Sequence, residues 1–178
     1  MVLFLIGFDV AARLLLHVPN VSPVAASALF AGVMLRHRSL ALAVPLAAML
    51  IGDTFAGFYD GRVMAVVYAA MALPAAAGIL ARRYRVARVI APTIVVCSLI
   101  FFAATNLAVW AFSGMYSLDM AGLMQCYVAA LPFLKYTLAG DLFWAAVLFG
   151  GTWLVRRLTA RSAIAGAASR AGAGSGAL

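Results

Sequence analysis

Few residues in this sequence could do chemistry, and most of them stand where lipid would reject them. Asp53 lies in LAAMLIGDTFAGFY, while Lys135 and Asp141 lie in LPFLKYTLAGDLFW. Asn106, Trp110 and Ser113 form one helical stripe, continued by Phe102, and Thr137, Asp141 and Trp144 form another. Asp9, Arg13 and His17 follow at i, i+4 and i+8. Buried carboxylates accept hydrogen bonds from ring nitrogens or an amine, and a lysine neutralises a carboxylate or phosphate. Trp110, Tyr116 and Tyr127 offer faces on which a ring can stack. This is the chemistry of holding a small polar or aromatic-bearing molecule.

The motifs of bond-breaking chemistry are missing. The sequence holds no nucleotide-binding loop and no HExxH. Ser113, in FSGMY, has no GxSG setting and no histidine base nearby. Cys97 and Cys126 fit neither a disulfide framework nor a CxxC metal site. Cys97 reads as packing, and Cys126 is a lone candidate ligand. The chain is therefore expected to be no enzyme, with no metal and no cofactor.

The elements that position these residues follow from composition. The 178 residues are 67% hydrophobic and 10% charged, against roughly half and a quarter in soluble domains. This predicts an all-α membrane protein. Six spans are expected, near 2–16, 22–36, 39–58, 62–81, 89–112 and 136–156. Residues 114–134, interrupted by Gly114, Asp119 and Pro132, are expected as a short extra helix at the surface or dipping into the bilayer. Residues 1–157 then make a six-span domain, and 158–178 a flexible tail rich in Gly, Ala and Ser.

Arg36, Arg38, Arg82, Arg83, Arg85, Arg88, Arg156, Arg157, Arg161 and Arg170 all fall on one side of such a bundle. The positive-inside rule makes that side cytoplasmic and places both termini there. The net charge of +8 then reflects topology, and no nucleic-acid partner is expected. A charge at the bilayer centre costs on the order of 3 kcal/mol. The intramembrane acids are accordingly expected to share one outward-facing hollow, with 114–134 as its roof. GDTF at 52–55 and GDLF at 140–143 suggest two acids flanking one opening.

Several stretches carry a family resemblance. HVPNVSPVAASALFAG, LAAMLIGDTFAGFY, TNLAVWAFSGMY and GLMQCYVAALPFLKYTLAGDLFWAAVLFG resemble an uncharacterised bacterial family of six-span proteins. That family is akin to the S components, the substrate-binding subunits of energy-coupling factor transporters. The resemblance covers about residues 11–155 and implies an S-component-like bundle in the bacterial inner membrane. It also implies uptake of a vitamin or cofactor precursor, with a transmembrane T subunit and ATPases as partners. The ligand-binding positions it implies are Asn20, Asp53, Asn106, Trp110, Tyr116, Tyr127, Lys135 and Asp141. Two features depart from that pattern. Span one, FLIGFDVAARLLL, lacks the AxxxA surface for the T subunit, and small-xxx-small pairs such as Ala28 with Gly32 occur on span two instead. The chain begins MVLF rather than with a Met-His hook, which disfavours the cobalt and nickel type. The alternative to a substrate-binding subunit is a non-catalytic accessory or structural subunit of a larger membrane complex.

Overall fold

The computed structural model describes residues 1–15, 21–82 and 86–174, without the side chains of 86–88 and 163–174. Among the described residues the chain is all-helical. The elements are α1 (Val2–Leu15), α2 (Val24–Met34), α3 (Arg38–Ala56), α4 (Gly61–Ala81), α5 (Val86–Phe112) and α6 (Met120–Gly174). Arg38–Ala56, Gly61–Ala81, Val89–Phe112 and Met120–Ser162 are long and apolar enough to cross a bilayer. Several such helices are the mark of a membrane protein. The remaining two expected spans are shorter: α1 has 14 residues and α2 has 11. At 1.5 Å per residue they measure about 21 and 16 Å, against a hydrocarbon core of roughly 30 Å.

Two acids set where helices begin. The Asp60 carboxylate accepts the N–H groups of Arg62 (2.9 Å) and Val63 (3.2 Å), opening α4. Asp119 accepts the Gly122 N–H at 2.7 Å and the Ser117 hydroxyl at 2.9 Å. Each satisfies backbone donors that the first turn leaves free. The second cap corrects the expected short extra helix. From Met120 the chain runs without a break through Pro132 into one 55-residue helix. A proline inside a membrane helix is tolerated where neighbouring groups re-satisfy the freed carbonyl. Residues 120–134 therefore pack along α5 rather than roofing a hollow. At its other end α6 continues to Gly174, into the stretch expected as a tail.

The central strut is α2. Every residue from Val24 to Gly32 is buried, as expected of a helix apolar all round. Its most extensive packing is against α4, and it also touches α1, α3, α5 and α6. A Cβ on Gly32 would stand 2.9 Å from Gly78 Cα and run into the Ala75 carbonyl, so α2 and α4 meet backbone to backbone. The small-residue pair Ala28 and Gly32 is thus used inside the bundle. Leu5, Phe30, Ala31, Ala41 and Val44 form one core cluster, with Phe149 of α6 packed against it.

The two ends of the bundle differ in charge. At one end Arg82 donates to the carbonyls of Gly32 (2.6 Å), Leu35 and Arg36 (3.3 Å), capping the C-terminus of α2. Arg156 reaches towards Met34 at that same end. At the other end Arg62 pairs with Asp60 and lies 4.8 Å from the centre of the Phe112 ring. Many large apolar side chains, including Leu3, Phe4, Phe55, Leu80 and Val155, remain exposed. Such an exterior suits lipid and not water.

Candidate functional site

Three carboxylates are buried among the helices: Asp9 (0% exposed), Asp53 (1%) and Asp141 (5%). They sit in three separate polar joints.

Asp53, near the C-terminus of α3, joins three helices. Arg13 of α1 donates to its Oδ1 at 2.5 Å, and the Tyr68 hydroxyl of α4 donates to Oδ2 at 2.9 Å. The same guanidinium reaches the Met49 sulfur at 3.0 Å. Gly52 makes this possible, because a Cβ there would stand 2.9 Å from Arg13 Cδ. In the neighbouring loop, partial burial and the Asp53 carboxylate raise the Tyr59 phenol above its usual pKa.

Asp9, on α1, accepts the Ser27 hydroxyl of α2 through Oδ2. Its Oδ1 and the indole N–H of Trp144 are both buried without a hydrogen-bond partner among the described residues. The Trp144 ring stands edge-on to Phe8, with centroids 5.3 Å apart.

Asp141 makes the joint that faces open space. Ser98, at the midpoint of α5, donates to its Oδ2 at 2.5 Å and also to the Ile94 carbonyl at 2.8 Å. The pair lines a cavity of about 80 Å³ with Ser22, Met71, Pro74, Cys97 and Thr137. A water needs on the order of 10–15 Å³ of such space, so the cavity has room for several. Gly140 brings the walls together, since a Cβ there would stand 3.1 Å from Val21 Cα. No cationic side chain faces the carboxylate among the described residues. Next to it lies a cavity of about 240 Å³ between α5 and α6, lined by Phe102, Thr105, Asn106, Ala130 and Phe133. Phe101 and Thr137 wall both cavities.

The expected site residues do not gather in one hollow. Asn106 lines the larger cavity, and its side-chain amide donates to the Phe102 carbonyl at 2.7 Å. Trp110 donates to the Ser117 carbonyl at 2.9 Å, and Tyr127 to the Ala103 carbonyl at 2.6 Å, so both serve the α5–α6 hairpin. Tyr116 is half-buried in the turn between those helices. Lys135 is exposed, with its ammonium 4.9 Å from the centre of the Tyr136 ring. Asn20 lies outside the described residues. Cys126 gives its S–H to the Asn106 carbonyl at 3.4 Å, and Cys97 is a wall of the Asp141 cavity.

The continuity of α6 explains the difference. Asp141 lies about six turns below the start of α6, level with mid-α5, and not at an outer rim beside Asp53. Ser98 is the partner that sequence reasoning passed over. It falls two turns before Asn106 on the stripe already recognised through Phe102, but a single hydroxyl scarcely marks an apolar segment. Tyr68 and Ser27 were hidden in the same way.

The chain belongs to DUF6580. This family of unknown function matches residues 1–164. No curated protein and no solved structure matches the chain. Membership agrees with the expected uncharacterised family.

Proposed function

We propose that this DUF6580 member is a substrate-binding membrane subunit, similar in role to an S component, for uptake of a small amine-bearing nutrient. In this reading α1 and α2 are the first two of six crossings. The end carrying Arg36, Arg38, Arg82, Arg156, Arg157 and Arg161 is cytoplasmic by the positive-inside rule. The observation that carries the reading is the Asp141–Ser98 pair, a buried carboxylate with one hydroxyl donor, lining a cavity without a counter-cation among the described residues. Ionised acids in a membrane interior are costly unless paired, and they commonly mark ligand or ion pathways. An ammonium group in the 80 Å³ cavity would pair the carboxylate. The adjoining 240 Å³ cavity, with Thr105 and Asn106, would take the rest of the molecule. The two cavities together reach only the lower end of the roughly 300–1,000 Å³ of drug-sized sites, which limits the ligand to a small one.

The test is mass spectrometry of molecules released from gently purified protein, with Asp141→Asn and the neutral-site control Tyr127→Phe alongside. Wild type and Tyr127→Phe should release the same amine-bearing molecule, and Asp141→Asn should release none while keeping its helix content. Retention by Asp141→Asn, or a wild type that carries nothing and is not stabilised by any of a panel of small amines, rejects the reading. A second reading, an accessory subunit of a larger complex, draws on Gly150 and Gly151 of α6. Open space surrounds both, beside exposed Leu154 and Val155, a surface that lets another membrane helix approach closely. Stable co-purification with a large complex would favour it.

A further inference from the structure

A larger cavity lies away from the buried acids. It is a groove of about 650 Å³ at the basic end of the bundle, between the start of α5 and the middle of α6. Ile90, Leu142, Ala145, Ala146 and Phe149 line its length, and Trp153 and Arg156 stand at its mouth. From Leu142 to Arg156 the helix rises about 21 Å, enough to span one leaflet of a bilayer whose hydrocarbon core is roughly 30 Å thick. The groove is therefore apolar over the depth of a leaflet and cationic at its end.

The cations at the mouth are available. Arg82, nearby, is committed to three carbonyls. Arg156 instead makes only a 4.0 Å approach to the Met34 sulfur among the described residues, and the residue is exposed. Arg157 lies 4.9 Å from the centre of the Trp153 ring, so a second guanidinium stands beside the groove wall. The Trp153 indole N–H has no acceptor among the described residues. Indole at the interface and arginine beside it are groups that meet lipid headgroups, and guanidinium matches phosphate with paired donors.

We propose that this groove binds one anionic phospholipid, with an acyl chain along Leu142–Phe149 and the headgroup phosphate on Arg156, flanked by Trp153 and Arg157. The site is separate from Asp141 and does not depend on what that cavity holds. An apolar slot alone would take any acyl chain, and charge complementarity at its end selects the anionic headgroup. A basic residue close to an anionic surface contributes about 1 kcal/mol, so loss of Arg156 should weaken the preference about fivefold.

The test uses the full chain in detergent, titrated with phosphatidylglycerol or with phosphatidylcholine of identical acyl chains and read by native mass spectrometry. Wild type should retain one phosphatidylglycerol about fivefold more tightly than phosphatidylcholine. Arg156→Gln should bind both lipids equally, and Ala146→Phe, which fills the slot, should lose tight retention of both. Arg161→Gln, farther along the same helix, should behave as wild type. Equal retention of the two lipids by wild type would overturn the proposal. So would a loss in Arg161→Gln as large as in Arg156→Gln, which would mean diffuse surface charge. Displacement of the lipid preference by millimolar inorganic phosphate would make it a phosphate site and also refute the lipid assignment.

Discussion

Arg13→Met and Asp53→Asn remove the two halves of the same ion pair, but they should not cost the same. The Asp53 side chain is 1% exposed and the Arg13 side chain 26%. Removing Arg13 strands a carboxylate that cannot reach water, and breaking a buried pair in this way costs about 3–5 kcal/mol. The Tyr68 hydroxyl still donates to Asp53, which keeps the loss near the lower end, about 3 kcal/mol. Asp53→Asn preserves the shape and an acceptor for Tyr68. It strands a guanidinium whose long stem can carry it towards headgroups or water, and about 1–2 kcal/mol is expected. The double variant has no charge to strand, so it should cost about as much as Asp53→Asn alone, a coupling of roughly 3 kcal/mol. Reversible unfolding in mixed micelles with increasing sodium dodecyl sulfate, followed by far-ultraviolet circular dichroism, measures all four proteins. Additivity within about 0.5 kcal/mol, or a larger loss in Asp53→Asn than in Arg13→Met, would refute the account of this joint.

Two further outcomes follow from the geometry. Gly32→Ala forces its Cβ against Gly78 Cα and the Ala75 carbonyl, backbone atoms that cannot swing aside. It should cost about 1–3 kcal/mol, whereas Gly7→Ala, with nothing within 4 Å, should be neutral or slightly stabilising in the same micelle titration. Asp60 and Asp119, at their helix starts outside the spans, have pKa values held below the usual 3.8, chiefly by the Arg62 side chain for Asp60 and the Gly122 N–H for Asp119. A depressed folded-state pKa gives stability that is present above the unfolded value and lost as pH falls through the folded one. Melting temperature should therefore drop as pH falls below about 4, and Asp60→Asn/Asp119→Asn should flatten that drop relative to wild type.

Much of the architecture was legible in the sequence because membrane helices announce themselves by apolar length. α3, α4 and most of α5 fall within a few residues of the expected spans. The expectation that acids avoid lipid was also legible, since Asp9, Asp53 and Asp141 are all buried. The hairpin of α5 and α6 was harder. Asp119 reads as an interruption in an apolar run, yet it is a cap that starts the helix, and Pro132 reads as a break that the bundle tolerates. Shifting the start of α6 back to Met120 moves Asp141 down to Ser98 and leaves Lys135 on the surface. The position of one helix start thus decides whether the acids form one site or several. No periodicity in the sequence fixes that start, because residues 120–134 are apolar whether the helix lies along the surface or crosses.

The three carboxylates together touch every helix: Asp9 links α1 to α2, Asp53 links α3 to α1 and α4, and Asp141 links α6 to α5. Lipid tails are as apolar as the helices, so burial alone gives little reason for one rotation or register over another. Polar joints supply that selection, because a misregistered bundle would leave an acid unpaired in hydrocarbon at several kcal/mol. The resemblance of GDTF to GDLF then has a packing reason. In each, the glycine admits a neighbouring chain, Arg13 at Gly52 and Val21 at Gly140, and the acid that follows bonds to another helix, Asp53 to Arg13 and Asp141 to Ser98. What separates the two is the outcome. Asp53 is closed by a cation and a phenol, which leaves nothing for a ligand to complete. Asp141 has a single hydroxyl and open volume before it, and that inequality is why we propose ligand binding at the α5–α6 acid and not at the better-paired one.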